Sequence, residues 1–162
     1  IKSVGHGMTF RRNLSGADDI GIALTELTDK VSTRLRRHDK WARGVKIEIT
    51  TPEFKRFSRQ KRLPSPINSP AAFRNAAVEL ISNLNFMNKP IRLLTVTAID
   101  LTDSPDDGQL TIFTMGATTD EKQRSEKDEN IAKAMDEIRD KFGKSSIRFA
   151  HVIGNDIGID ED

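Results

Sequence analysis

Five cationic side chains lie within eight residues of this sequence, and such a cluster can bind the phosphate groups of a polyanion. The five are Lys55, Arg56, Arg59, Lys61 and Arg62. Lysine and arginine bind phosphates through charge and through hydrogen bonds to the phosphate oxygens. Phe57 is the one large apolar residue among them. Because burying unpaired cations is costly, the segment is predicted to be exposed.

The residues before this cluster predict the strand that positions it. Val45, Ile47 and Ile49 alternate with polar residues, which is the period of a strand with one buried face. Pro52 and Glu53 supply a turn. The range 43–64 is therefore predicted to be a β-hairpin whose second strand is basic.

Charge is divided unevenly along the 162 residues. The range 1–102 carries 18 Lys and Arg against 9 Asp and Glu, whereas 103–162 carries 8 against 15. This asymmetry favours a polyanion-binding domain followed by an acidic extension, the alternative being charge spread over a solvated surface. The sequence starts at Ile1 rather than Met, so we expect it to be a piece of a longer protein.

The sequence lacks the residues or the spacings that several kinds of chemistry require. The sequence has no cysteine, which excludes disulfides and thiolate chemistry and suits a cytosolic protein. No apolar run approaches the length of a membrane span. The three histidines, His6, His38 and His151, lack the spacing of metal ligands, and no nucleophilic triad is apparent.

The flanking segments predict two more strands and two helices. Residues 2–10 alternate as a strand in which the glycines of Gly-His-Gly mark a bulge or a close backbone approach. Asn13 or Ser15 caps one helix, and Ser69 followed by Pro70 caps the other. The apolar stripes of these helices are Ile20, Leu24, Leu27, Val31 and Leu35 in the first, and Phe73, Ala77, Leu80, Ile81 and Leu84 in the second. The range 91–101 is the last strand.

The order β-α-β-β-α-β predicts an α+β fold of two layers, a four-stranded sheet with two helices on one face. The other face is then free to meet a ligand. A C-terminal extension adds one helix that ends at Gly143. Its predicted apolar side consists of Ile131, Met135, Ile138 and Phe142. The range 147–153 is predicted to be a strand or a docked tail.

Three separated segments resemble the little finger domain of Y-family translesion DNA polymerases of the bacterial DNA polymerase IV kind. They are Lys2-Ser3-Val4-Gly5 with Thr9-Phe10, then Arg43-Gly44-Val45 continuing through Phe57-Ser58-Arg59 to Leu63-Pro64, and Pro90-Ile91-Arg92-Leu93-Leu94-Thr95-Val96. The resemblance implies a domain that lies along the major groove of primer-template duplex and holds it by its phosphates. It also implies a parent DNA polymerase that uses Mg²⁺ and acts in the cytoplasm, at the nucleoid. The catalytic palm would lie outside this sequence, so we expect the fragment itself to be inactive.

The resemblance also implies which residues contact DNA. They are Lys55, Arg56, Ser58, Arg59, Lys61 and Arg62 of the basic strand, with Arg59, Lys61 and Arg62 matching the strand of the family that contacts phosphates. His6 lies where relatives often carry a basic residue, and Arg11 and Arg12 are second-line candidates. Because Arg59 and Lys61 share the alternation of Phe57, a twist or bulge is expected to separate apolar from DNA-facing positions.

Gln109-Leu110-Thr111-Ile112-Phe113 resembles the pentapeptide by which many such polymerases bind the sliding clamp. The implied contacts are Gln109, Leu110, Ile112 and Phe113, with Ile112 replacing the usual leucine. An extended peptide in a linker can place such side chains in an apolar pocket. The expected division is 1–102 as the DNA-binding domain, 103–119 as the linker with this motif, and 120–162 as an acidic helix and tail.

Two alternatives stay open from the residues alone. An RNA-binding module of similar element order usually offers aromatic rings on its sheet, whereas Phe57 is the sole aromatic residue of the basic strand. A non-catalytic protein-interaction domain would use the cations to keep an exposed edge strand from aggregating.

Overall fold

Seven elements follow one another in the order predicted from the sequence. In a computed structural model of the chain, residues 1–105, 119–143, 149 and 152–159 are described, with the backbone alone for 119–126. The elements are β1 (Val4–Leu14), α1 (Gly16–Arg37), β2 (Trp41–Thr50), β3 (Arg56–Ile67), α2 (Pro70–Asn83), β4 (Ile91–Thr102) and α3 (Thr119–Phe142).

The four strands form one antiparallel sheet in the order β1-β4-β2-β3. Val45, Ile47 and Ile49 point to the side covered by the helices and are fully buried. Residues directly opposite one another in an antiparallel sheet lie on the same face. The face of every paired residue can therefore be read from whether it lies in register with these three. We call the two faces the helix side and the open face. The α+β prediction of a sheet with helices on one face is confirmed.

Local sequence accounts for both helices that cover the sheet. Ser15 is the residue at the N-terminus of α1, and its backbone N–H donates to the carboxylate of Asp19 at 2.8 Å. Ser69 caps α2, with its hydroxyl accepting from the N–H of Ala72 at 3.4 Å and Pro70 in the first turn. The predicted apolar stripes then meet the sheet. Their fully buried members are Ile20, Leu24, Leu27, Val31, Leu35, Phe73, Ala77 and Ile81.

The third helix packs through a different side from the one its apolar residues predicted. Ile131 is 50% exposed and Phe142 75%, whereas Ala132 and Met135 are buried. Two ion pairs join this helix to α1: Arg139 binds Asp29 at 2.9 Å, and Asp136 binds Arg36 at 2.5 Å. The side of the helix that carries Arg139 and Asp136 therefore faces α1. Of the four apolar residues predicted to lie on one side of this helix, only Met135 is buried against the domain. The predicted end at Gly143 is confirmed by its positive φ of 103°.

Part of the C-terminal tail belongs to the same core. Val152, Ile157 and Ile159 are buried with the residues of the sheet and helices. The carbonyl of Ile157 accepts from the backbone N–H of Arg11 at 2.9 Å. Residues 152–159 are thus docked on the domain. Of the range 147–153, predicted to be a strand or a docked tail, residues 149, 152 and 153 are described, and the acidic end at 160–162 lies outside the described residues. So does the predicted clamp motif at 109–113.

Within the described ranges, none of the helices is both long and apolar enough to cross a membrane.

Candidate nucleic-acid interface

Small residues occupy the part of the open face where the edge strand β1 pairs with β4. Gly5 and Gly7 of β1 lie opposite Thr97 and Thr95 of β4. A Cβ atom added at Gly7 would lie 2.3 Å from Thr95 Oγ1, and one at Gly5 would lie 2.9 Å from Thr97 Oγ1. The side chains of these threonines, rather than another backbone, therefore approach Gly5 and Gly7 closely. Of the predicted bulge or close backbone approach, the pairing shows no bulge between Val4 and Thr9.

Cations lie on the open face along the edge strand β3. Arg56 lies opposite Thr50 and Arg62 opposite Gly44, which places both on the open face. Both side chains are exposed, and within the described part of the chain neither makes an ion pair. Lys46 of β2 shares the face and pairs with Glu48 at 2.8 Å. Arg56 and Arg62 are therefore available to bind an anion.

Two of the predicted phosphate ligands leave β3 on the opposite side. Arg59 lies opposite Ile47, and Lys61 lies opposite Val45, so both belong to the helix side. Lys61 pairs with Glu79 of α2 at 2.5 Å, and Arg59 donates to the carbonyl of Asn83 at 3.3 Å.

The bulge expected between apolar and DNA-facing positions is absent from the basic segment. The pairing of β2 with β3 is regular from Gly44–Arg62 to Thr50–Arg56, and the irregularity lies between Ala42 and Gly44 instead. That expectation is wrong because the strand keeps its alternation. The basic segment divides its cations between the two faces.

His6 also faces the helices. It lies opposite Val96 and is half-buried beneath α1. Burial lowers the pKa of its imidazole, and the nearby charges of Arg34 and Lys30 lower the pKa further, against a smaller opposite effect of Glu26. The charge of His6 was open in the sequence, and this environment favours the neutral form.

Arg11 and Arg12 differ in how far the fold already uses them. The exposed side chain of Arg11 extends from a backbone that the tail covers. Arg12 binds both carboxylate oxygens of Asp19, at 2.6 and 3.0 Å, and both of Asp156, at 2.7 and 3.1 Å. These bonds lower the pKa of Asp19 and of Asp156. Because its donors are occupied, Arg12 acts as a bridge between the tail and α1.

The remaining sequence candidates lie at the turn and on the open face. Ser58 is exposed opposite Glu48, on the open face. Lys55 precedes β3, and its backbone N–H donates to the hydroxyl of Thr51 at 3.1 Å. Lys46 and the glycine pair were not predicted as site residues. Lys46 and the glycines occupy the positions of their strands that lie on the same face as Arg62. This alternation is the signal that could have marked them as part of the site.

Aromatic rings and cations meet at the end of the sheet where β2 turns into β3. The rings of Phe57 and Phe86 lie 5.2 Å apart, with Lys89 over Phe86. The guanidinium of Arg92 lies over the ring of Phe54, 4.7 Å from its centroid. Phe57 is on the helix side, so the paired open-face positions of β3 carry no aromatic ring.

The interface has residues suited to binding an anion. It offers unpaired guanidinium groups beside a polar surface, an arrangement that suits backbone phosphates. Among the described residues, no group of three or more His, Cys, Asp and Glu could hold a metal ion.

Comparison with known proteins identifies the class. Residues 1–112 match the impB/mucB/samB family C-terminal domain, and the chain belongs to this family. DNA polymerase IV of Clostridium kluyveri is 28% identical over 153 residues, 94% of this chain and 38% of that protein. DNA polymerase IV of Acetivibrio thermocellus is 30% identical over 148 residues, 91% of this chain and 36% of that protein. The chain spans less than two fifths of the length of these relatives.

Solved structures identify the fold more closely. One is a complex of the beta-clamp processivity factor with the little finger domain of PolIV, at a TM-score of 0.52 and 15% identity over 68% of this chain and 97% of the matched one. Another is a Dbh ternary complex, at a TM-score of 0.51 and 14% identity over 60% of this chain and 28% of the matched one. The chain therefore has the little finger fold, as the resemblance implied.

Proposed function

We propose that the open face binds duplex DNA through its backbone phosphates and that the whole protein is a translesion DNA polymerase. The observation that carries the proposal is the division of β3. Arg56 and Arg62 project from the open face without an ion pair among the described residues, while Arg59 and Lys61 contact α2. The proposed interface is thus Arg56 and Arg62 with Ser58 between them. Lys55 at the turn and Arg11 lie at its margin.

The spacing of these groups suits an extended polyanion. Arg62 lies six positions after Arg56 along β3, which corresponds to about 20 Å at the rise of an extended strand. That length spans several phosphates of one DNA strand. Contacts to phosphates carry no sequence information, so the predicted binding tolerates any sequence. Such tolerance suits a polymerase, which must move along its template.

The role of the whole protein follows from its relatives, which are named DNA polymerase IV. Nucleotide addition and the Mg²⁺ it requires would then depend on parts outside this domain, and this domain would hold the primer-template duplex. Such a protein acts in the cytoplasm, at the nucleoid. An RNA-binding role is less favoured because the paired open-face positions of β3 offer no ring for base stacking.

Titration of the chain with a labelled duplex tests the DNA interface. We expect the logarithm of the binding constant to fall linearly with the logarithm of salt concentration, by about 0.9 for each phosphate contact. Two unpaired arginines give a slope of about −2, and Lys55 or Arg11 would add to it. Binding that is absent at about 50 mM salt, or that does not change with salt, would contradict the proposal.

We further propose that residues 109–113 bind the sliding clamp. Support comes from the residue types of the motif and from its place after the last strand of the domain. The double variant Gln109→Ala, Phe113→Ala is expected to lose capture by immobilised clamp at an unchanged melting temperature. Thr114→Ala, Met115→Ala is the matched control just beyond the motif and is expected to keep capture. Equal capture by both double variants would contradict the assignment.

A further inference from the structure

The turn between β2 and β3 presents an aromatic ring to solvent. The side chain of Phe54 is 68% exposed. The guanidinium of Arg92 lies 4.7 Å from the centroid of its ring. With Arg92 on one face and most of the side chain exposed, the second face of the ring is accessible.

Phe54 adopts a backbone conformation that this type of turn normally gives to glycine. Phe54 donates its N–H to the carbonyl of Thr51 at 2.9 Å, and Thr51 donates its own N–H to the carbonyl of Lys55 at 2.9 Å. These bonds define a three-residue loop whose last residue is left-handed. The φ of Phe54 is 66°. The other described non-glycine residues with positive φ are Asp39, Asn85 and Asp100, whose side chains tolerate it.

Stability does not explain a phenylalanine at this position. The ring is not buried, and a cation–π contact at an exposed site is weak compared with the strain of a left-handed bulky residue. Strained residues persist where the surroundings fix them, and they are concentrated at functional sites. Here the buried Thr51 fixes the turn through its backbone and through its hydroxyl, which accepts from Lys55 at 3.1 Å. The backbone that carries the ring is therefore fixed, and Arg92 lies over one face of the ring.

The surroundings of the ring indicate a nucleic acid. Lys55 and Arg56 follow Phe54 directly, and Arg92 stacks on it, against the single acidic neighbour Glu53. Arg56 also begins the cationic border of the open face. An aromatic ring beside cations binds the π-face of a base while the cations bind its phosphates. Inside a duplex those π-faces are covered by neighbouring base pairs, so away from a duplex end the ring can stack only on an unpaired base.

We infer that Phe54 and Arg92 form a stacking platform for an unpaired base of DNA, next to the duplex that the open face holds. The location beside a duplex rests on the proposed function. The platform itself does not, because its ring, its strain and its cations are observations of the turn and of Arg92 in β4.

Anisotropy titrations of the whole chain with three labelled DNAs test this inference. The first is a blunt duplex, the second adds a short single-stranded thymidine extension, and the third adds an extension of abasic sugar-phosphates of equal length. Stacking on the platform is expected to make the thymidine extension bind at least about five-fold tighter than the abasic one. Equal affinity for the two extensions would overturn the inference.

Variants of the turn separate stacking from structural effects. Phe54→Gly is expected to remove the preference for bases while raising the melting temperature, since glycine adopts the left-handed conformation without strain. Phe54→Trp is expected to keep the preference. Asn85→Gly is the matched control, because Asn85 also has a left-handed backbone, with a φ of 61°. This variant is expected to keep the preference for bases. A preference that survives Phe54→Gly would overturn the inference. A retained preference without blunt-duplex binding would contradict the proposed function and leave the platform supported.

Discussion

Lys61 and Arg62 are adjacent in β3, and their side chains leave the strand on opposite sides of the sheet. Lys61 lies on the helix side and pairs with Glu79 of α2, whereas Arg62 lies on the open face opposite Gly44. Arg59 and Arg56 repeat the contrast, since Arg59 binds the carbonyl at Asn83 and Arg56 has no ion pair among the described residues. The cations of β3 thus form two sets. One set attaches this edge strand to α2, and the other is available to a ligand.

One ion pair between helices and one on the open face differ in their burial. On the helix side, Asp29 and Arg139 join α1 to α3 with side chains that are 11% and 9% exposed. On the open face, Lys46 and Glu48 pair at 34% and 46% exposure. Solvent screens the exposed pair, so it contributes little to folding. In the buried pair, either charge left without its partner is strongly unfavourable.

Breaking these two pairs gives the largest expected contrast. Arg139→Met leaves Asp29 buried without its partner and is expected to lower the free energy of unfolding by about 3 kcal/mol. Glu48→Gln on the open face is expected to change it by less than about 1 kcal/mol. Urea unfolding monitored by circular dichroism measures both. Equal effects of the two substitutions would show that the helix side and the open face do not differ as described.

A smaller effect is expected from adding a side chain at Gly7 on the open face. Gly7→Ala places a Cβ atom against Thr95 and is expected to lower the free energy of unfolding by about 1–2 kcal/mol. In the double variant with Thr95→Ala the loss should be smaller than the sum of the single effects, because the clash is relieved. If the effects of the two substitutions on the free energy of unfolding are additive, the loss in Gly7→Ala does not come from its contact with Thr95.

The smallest expected effect is the pH dependence from His6. Its pKa is lowered in the folded chain, mainly by burial and then by Arg34 and Lys30. The unfolded chain, with an ordinary histidine pKa of about 6.5, therefore binds more protons as the pH falls through that value. Stability is expected to decrease from about pH 7.5 to about pH 5.5, and to decrease less in His6→Gln. An identical decrease in both proteins, measured by urea midpoints, would assign the pH dependence to other groups.

Much of the fold follows from sequence periodicity. The alternation of Val45, Ile47 and Ile49 and the cap at Ser69 locate their elements correctly, because burial and capping are local requirements. The small residues Gly5 and Gly7 indicated a close approach, which the opposing threonines explain. Period and caps were sufficient for β2 and α2 because each of these elements buries one continuous stripe.

Long-range pairing explains what the sequence did not reveal. The side on which α3 docks is set by Asp29 and Arg36, about a hundred positions away, which local apolar spacing does not take into account. The bridging role of Arg12 depends on Asp156 in the tail. Each is a partner across the fold, and such partners become visible only once the chain is folded.

The measurement that tests the central claim most directly compares two charge-matched double variants within β3. Arg56→Ala, Arg62→Ala removes the open-face cations, and Arg59→Ala, Lys61→Ala removes the helix-side cations, so each loses two positive charges. The slope of duplex binding against salt is expected to fall by about two units in the first and by much less in the second. Equal reductions in both, or a larger one in the second, would contradict the assignment of DNA binding to the open face.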